Sequence, residues 1–173
     1  MTESDIRETI GPFQDEWAFL SNFYRCEPPF GYSLPSGRIV RAKTSEHAYQ
    51  ACKAGILAEQ DAILAKSTPG QAKRAGNRVN LASNWHKLKL YWMYNLLIVK
   101  FSEPNLRKKL LNTGNARLVE KNNWNDYYWG ECNGVGENYL GYSLEFVRVH
   151  YLANTDGILA ILAEKERNAS IIR

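Results

Sequence analysis

Apolar and polar positions change their period several times along the chain. Between residues 13 and 43 short aromatic pieces alternate with turn residues. Phe19-Leu20-Ser21-Asn22-Phe23-Tyr24 is followed by Pro28-Pro29 and Gly31, then by Pro35-Ser36-Gly37 and Arg38-Ile39-Val40. A Pro-Ser-Gly turn between two apolar pieces predicts a hairpin of short strands. From Thr44 the period becomes helical, and the spacing predicts a helix over 45–57. A second short helix is expected over about 59–66. A third opens at Ser67-Thr68-Pro69, a cap followed by proline at the first helical position, and ends near Gly76-Asn77. Asn84 is a suitable cap for the longest helix, Trp85 to about Ser102, with Leu88, Trp92, Leu96 and Val99 as its core face. Glu103-Pro104 starts another helix, which stops at Thr113-Gly114, and Arg117-Leu118-Val119-Glu120 reads as a strand. Leu140 to Leu152 reads as a helix with Leu144, Val147 and Tyr151 in register, and a last helix covers about 156–167.

Two stretches carry no period. Residues 1–12 read as a polar lead-in. Residues 121–138, rich in Asn, Gly, Tyr and Trp, read as a long loop, and long ordered loops in compact domains are often functional. No repeat, low-complexity segment or linker interrupts the rest. The expected architecture is α+β: one predominantly helical domain over 13–167 with a small antiparallel sheet.

Composition narrows the function classes. At 173 residues the chain has the size of one domain, with room for a substantial core. Lys and Arg number 22 against 18 Asp and Glu, a formal charge of +4, which permits an anionic ligand without demanding one. No long basic run marks a nucleic-acid tail. Cys26, Cys52 and Cys132 are odd in number and form no C-x-x-C pair, which argues against a disulfide framework and a zinc site. No apolar run is long enough to span a membrane, and Met-Thr-Glu-Ser-Asp lacks the pattern of a signal peptide, so a cytoplasmic location is expected. The 5 Trp and 10 Tyr supply flat surfaces on which a base can stack, although most aromatics in any domain belong to the core.

The stretch Thr44 to Lys53 is chemically the richest. A hydroxyl at Thr44 or Ser45 can cap the helix, and Glu46 suits its positive end. Glu46, Gln50 and Lys53 fall at i, i+4 and i+7 and share one face. A carboxylate, an amide and an amine so arranged form either a solvated ion-pair ladder or the wall of an active site. Asp126-Tyr127-Tyr128-Trp129-Gly130 places a carboxylate three residues from a tryptophan, and Asn84-Trp85 begins a helix. Two carboxylates brought together by the fold can share general acid and base roles. A partly desolvated lysine can act as a nucleophile on a sugar carbonyl. Two tryptophans can clamp a base. His47, His86 and His150 are scattered and read as structural or solvated. No P-loop, G-x-S-x-G, H-E-x-x-H or Rossmann fingerprint is present.

Seven segments in order resemble the NADAR family, also called YbiA-like. They are Phe19-Leu20-Ser21-Asn22-Phe23, Thr44-Ser45-Glu46-His47 with Gln50 and Lys53, Ala72-Lys73-Arg74-Ala75-Gly76, Asn84-Trp85, Ala116-Arg117-Leu118-Val119-Glu120, Asp126-Tyr127-Tyr128-Trp129-Gly130 and Gly136-Glu137-Asn138-Tyr139-Leu140-Gly141. The resemblance spans roughly residues 13–152 and implies an N-glycosidase, which cleaves the bond between a ribose C1 and a base nitrogen. Two substrate classes go with the family: ribosylamino-pyrimidine phosphates early in riboflavin synthesis, and ADP-ribose attached to guanine in DNA or RNA. Carried over residue by residue, Glu46 is the central acid, with Lys53 and Asp126 as further catalytic groups. Lys53 is either a covalent nucleophile, through a Schiff base with the opened ribose, or a cation that holds a phosphate and tunes Glu46. Trp85 and Trp129 complete the site, and Asn22, Phe23, Arg74 and Asn138 line or support the pocket. Phosphates are expected near Lys73, Arg74 or a helix N-terminus. No cofactor, metal or membrane is implied. The loop after Trp129, Gly130-Glu131-Cys132-Asn133-Gly134, departs from the family by having less glycine. The other reading is a non-catalytic ADP-ribose or nucleotide-binding module on the same fold.

Overall fold

A computed structural model describes residues 7–154. The chain begins with a two-residue strand, β1 (Thr9–Ile10), and a 3-10 stretch, Asp15–Leu20. A hairpin follows, β2 (Phe30–Ser33) and β3 (Ile39–Ala42), paired antiparallel from Phe30 opposite Ala42 to Ser33 opposite Ile39. Five helices come next: α1 (Ser45–Lys53), α2 (Leu57–Leu64), α3 (Pro69–Gly76), α4 (Trp85–Phe101) and α5 (Pro104–Leu111). Three short strands, β4 (Arg117–Leu118), β5 (Lys121–Asn122) and β6 (Glu131–Cys132), lead into α6, which runs from 139 through 154. The helix expected over 156–167 lies outside the described residues.

Helix α1 is the hub. It packs against α2, α3, α4 and β3, and its residues from Ser45 to Cys52 are all buried. A burial this complete explains why its small residues Ala48, Ala51 and Cys52 matter, since they let neighbouring helices approach. Thr44 caps it as the sequence predicts, its Oγ1 accepting the His47 N–H at 3.2 Å. The helix ends at Lys53, short of the expected residue 57, because Ala54 turns to extended backbone and bridges to Leu81. The Ala82 N–H donates to the Lys53 carbonyl at 2.9 Å and the Gly55 N–H to the Asn80 carbonyl at 2.7 Å, so the chain after α1 exchanges helical for cross-chain hydrogen bonds.

The hairpin, α3 with its Thr68 cap, α5 and α6 lie where the pattern puts them. The face of α4 does so in part: Leu96 is buried and Trp92 and Val99 pack against the core, but Leu88 is 39% exposed, and Trp85, Met93, Leu97, Lys100 and Phe101 are buried as well. The helix is apolar nearly all round, so periodicity alone selects no unique stripe and tertiary packing chooses. Asn84 holds the cap position in left-handed conformation, φ 59°, without a side-chain cap bond.

The lead-in is also more ordered than its composition suggests: Thr9–Ile10 pairs parallel with Arg117–Leu118, and Ile10 is buried. β5 and β6 pair in parallel as well, so the hairpin is the antiparallel sheet and two parallel pairs accompany it. All three cysteines are free and buried.

Candidate active site

A cavity of about 1260 Å³ opens beside α1. Its walls come from two parts of the chain that fold by different rules. One wall is helical. The Glu46 N–H donates to the Asn22 carbonyl at 2.9 Å, which fixes the Phe19–Tyr24 segment against the start of α1. One turn on, Gln50 Nε2 donates to Glu46 Oε1 at 2.9 Å. This contact depends on Gly76 of α3: a Cβ there would lie 2.0 Å from Gln50 Oε1. The expected face of Glu46, Gln50 and Lys53 therefore faces the cavity. It is not a solvated ladder, since Glu46 is only 5% exposed.

Burial raises the Glu46 pKa above the usual carboxylate value and Asp126 raises it further, while the Gln50 hydrogen bond and the Lys73 and Lys53 ammonium groups pull it back. Burial lowers the Lys53 pKa, which favours the neutral amine. The Glu46 charge opposes that, and Lys73 adds to it. Lys53 Nζ also lies 3.4 Å from Asn77 Oδ1.

The other wall is the stretch from Glu120 to Asn138. Asparagine side chains shape it by binding backbone. Asn138, buried and at φ 50°, donates from Nδ2 to the Leu118 carbonyl at 2.8 Å and accepts the Glu120 N–H on Oδ1 at 3.1 Å. Asn122 accepts the Asp126 N–H at 3.1 Å and donates to the Asp126 carbonyl at 2.9 Å. Asp126 Oδ1 accepts the Trp129 N–H at 2.9 Å, so one carboxylate oxygen closes the turn that presents Trp129. Gly130 lets two strands of the loop meet, because a Cβ there would lie 2.1 Å from the Glu120 carbonyl oxygen.

An aromatic run joins the walls. Tyr49 lies 5.0 Å from Trp85 and 5.4 Å from Trp129, centroid to centroid, and Trp129 continues to Tyr128 at 4.9 Å. Trp85 and Trp129 are thus bridged by Tyr49 on one run of rings. Lys89 Nζ sits 3.3 Å over the Tyr128 ring at the rim.

Of the residues expected from sequence, Asn22, Phe23, Glu46, Lys53, Trp85, Asp126 and Trp129 all line the cavity. Asn138 does not line it and instead supports the loop from behind. Arg74 is corrected: it is exposed and absent from the lining, while its neighbour Lys73 faces in, because consecutive helical residues diverge by about 100°. His86 is at the cavity, whereas His47 is buried between Thr44 and the Lys66 carbonyl. Glu131 and Cys132, where the loop departs from the family, form β6 and are not in the lining. Glu131 pairs with Arg117.

Sequence reasoning does not single out Glu120. It lines the cavity, its Oε2 is buried without a hydrogen-bond partner, and burial together with the Asp126 charge raises its pKa from 4.5 to about 7. Nothing in its local sequence signals this, since its neighbours read as a strand. Among the described residues no cluster of three or more His, Cys, Asp or Glu side chains could hold a metal ion.

The NADAR domain family matches residues 10–151. The N-glycosidase YbiA of Shigella flexneri is 38% identical over 139 residues, covering 75% of this chain and 86% of that protein. The N-glycosidase YbiA of Escherichia coli is 39% identical over 109 residues, covering 61% and 68%. The riboflavin biosynthesis protein PYRR of Arabidopsis thaliana is 32% identical over 112 residues, 64% of this chain but 17% of that protein. The NMR structure of E. coli YbiA matches with a TM-score of 0.71 at 32% identity over 87% of this chain and 89% of that one.

Proposed function

The chain belongs to the NADAR family and is an enzyme acting on N-glycosyl bonds, and on that footing we propose that it releases ADP-ribose from ADP-ribosylated guanine in nucleic acid, with ribosylamino-pyrimidine phosphates as its second substrate class. The observation that carries this reading is the buried Glu46 in a cavity of about 1260 Å³ with an aromatic run on one side and Lys53 and Lys73 beside the carboxylate. Breaking an N-glycosidic bond develops positive charge at the ribose C1, which a fixed carboxylate in a water-poor site stabilises. The base stacks on Trp129, the half-buried ring of the run, a contribution of about 1–3 kcal/mol. The volume exceeds the roughly 300–1,000 Å³ usual for small-ligand pockets and supports the larger, dinucleotide-sized substrate. The riboflavin-related names of some relatives support the smaller one.

Lys53 takes the covalent route. Its neutral Nζ attacks C1 as the base leaves with the bonding electrons. The ring C1–O4 bond then opens to give the iminium, O4 takes a proton, and water hydrolyses the iminium to return the sugar and the amine. Glu46 stabilises the charge at C1 and accepts the proton lost from Nζ. The half-buried position and lowered pKa of Lys53 support this role over that of a permanent cation.

The test is incubation with guanine-ADP-ribosylated DNA and, separately, with the ribosylamino-pyrimidine phosphate, following sugar release. Turnover of the first is expected. Tight binding of ADP-ribose with no turnover of either substrate would mark the chain as a binding module. Borohydride added during turnover should fix the sugar to Lys53, and Lys53→Ala should abolish trapping.

A further inference from the structure

The geometry points to Glu120 as the acid that hands a proton to the departing base nitrogen, a catalytic residue of the cavity distinct from Glu46, Lys53 and Asp126. The inference rests on the N-glycosidase reading of the same site. A base leaves poorly as an anion, so a positioned proton donor is worth roughly 10²- to 10⁴-fold. The donor must line the cavity and carry a proton near neutral pH.

The three cavity carboxylates differ on those counts. Asp126 spends Oδ1 on the Trp129 N–H, as the acceptor of a turn. Burial raises the Glu46 pKa, but Glu46 accepts from Gln50 Nε2 and has the Lys73 and Lys53 ammonium groups beside it; Glu120 Oε2 lacks such a donor among the described residues, and its cations are Lys73 and Lys100. Glu120 lines the same cavity, yet its buried Oε2 has no partner among the described residues. A buried carboxyl oxygen without a donor favours the neutral acid, which is itself a donor.

The groups facing Glu120 come from three elements. Asp126 of the loop raises its pKa, while Lys73 of α3 and Lys100 of α4 lower it, and burial outweighs these, leaving it at about 7. Lys100 is itself fully buried, donates to the Ser21 carbonyl at 2.8 Å and has its pKa pushed down to about 8. The backbone presents Glu120 firmly: its N–H donates to Asn138 Oδ1 at 3.1 Å and its carbonyl accepts the Glu131 N–H at 2.9 Å.

The step balances without a further reactant. The C1–N bond breaks and its electron pair goes to the base nitrogen. That nitrogen takes the proton from Glu120, which becomes a carboxylate. C1 gains its new bond from the nucleophile. The proton returns to Glu120 from water when the sugar is released.

The decisive comparison is Glu120→Gln against the native protein, on whichever of the two substrates the native protein turns over. Gln keeps the volume and both backbone hydrogen bonds, so the fold should survive. The expected result is a loss in kcat of roughly 10²-fold or more with KM little changed. The native fall in kcat above a pH of about 7 should be absent from the variant. Infrared difference spectra of the native protein between pH 5 and 9 should show a buried protonated carboxyl band that Glu120→Gln lacks. Activity of Glu120→Gln within a few-fold of native, or a retained basic limb, overturns the assignment. So does a native protein without that band. A native protein inactive on both substrates overturns the functional reading beneath it, and that failure is recognised by Glu46→Gln making no difference either.

Discussion

The two walls of the cavity hold their carboxylates by opposite means. On α1, Glu46 rests on regular backbone and depends on side chains: Gln50 donates to it, Gly76 leaves Gln50 its place, and Lys53 and Lys73 face it. On the loop, Glu120 and Asp126 depend on backbone that asparagines hold in shape, and their own side chains are served less well. Chemistry on the helical wall should therefore break when one side chain changes. On the loop wall, loss of an asparagine that holds the backbone should cost stability first and chemistry second.

The largest effect expected is on the helical wall. Glu46→Gln should lower base release by roughly 10³-fold, the cost of removing a preorganised charge from a developing cation, while thermal unfolding stays cooperative. Single-turnover assays on the accepted substrate measure this. Near-native turnover would mean that the loop wall carries the charge instead.

Next comes Asn138→Ala on the loop wall. It strips partners from the Leu118 carbonyl and the Glu120 N–H together, at roughly 1–3 kcal/mol for each buried group left unpaired. Urea unfolding should show a loss of about 2–4 kcal/mol, with activity recovering at low temperature as the folded fraction returns. A stable Asn138→Ala protein that is nonetheless inactive would make Asn138 a contact of substrate and erase the distinction drawn between the walls.

That distinction also explains what could be read in advance. The face of Glu46, Gln50 and Lys53 was legible because a helix maps sequence spacing directly onto space, and the Thr44 cap fixed its start. The same rule separates Lys73 from Arg74, one of which faces the cavity and the other solvent. The loop has no period. Asp126 and Trp129 stood out only as a carboxylate three residues from a tryptophan until the family resemblance gave them roles, and Glu120 looked like part of a strand. Its role arises only when Asn138, 18 residues on, and Lys100, 20 residues back, come to it in the fold. The α4 face was legible only in part for the converse reason: a largely apolar helix carries periodicity in no single direction, so Leu96 was placed in the core and Leu88 was too, although it is exposed.

A smaller effect tests the link between α3 and α1. Gly76→Ala places a methyl 2.0 Å from Gln50 Oε1, so Gln50 must swing away from Glu46. The expected outcome is a loss of about 1–3 kcal/mol in stability from overpacking and roughly a tenfold fall in kcat as Glu46 loses its donor. Gln50→Ala should reproduce the fall in kcat without the overpacking. Full activity in both variants would show that the lysines alone hold Glu46.

The smallest effect has the most informative sign. The Glu120 pKa stands at about 7 in the folded protein against 4.5 ordinarily, so between those values the folded state keeps a proton that the unfolded state releases. Stability contributed by this group is therefore present below about pH 4.5 and declines as pH rises to about 7. Glu120→Gln has no such proton to lose. It should match the native protein at pH 4.5 and exceed it by about 1–3 kcal/mol at pH 7.5, measured as the difference of two urea titrations. Lys100 trims that gain, since it loses the charge that partly offsets its own burial. Glu46→Gln should shift in the same direction, since burial also raises the Glu46 pKa, with Gln50, Lys73 and Lys53 opposing it. Equal gains at the two positions would mean that burial alone sets both carboxyl groups and that the helical wall prepares its acid no better than the loop does. A gain confined to Glu120 would place the two carboxyl groups in different protonation states at neutral pH, as a proton donor and a charge stabiliser in one cavity require.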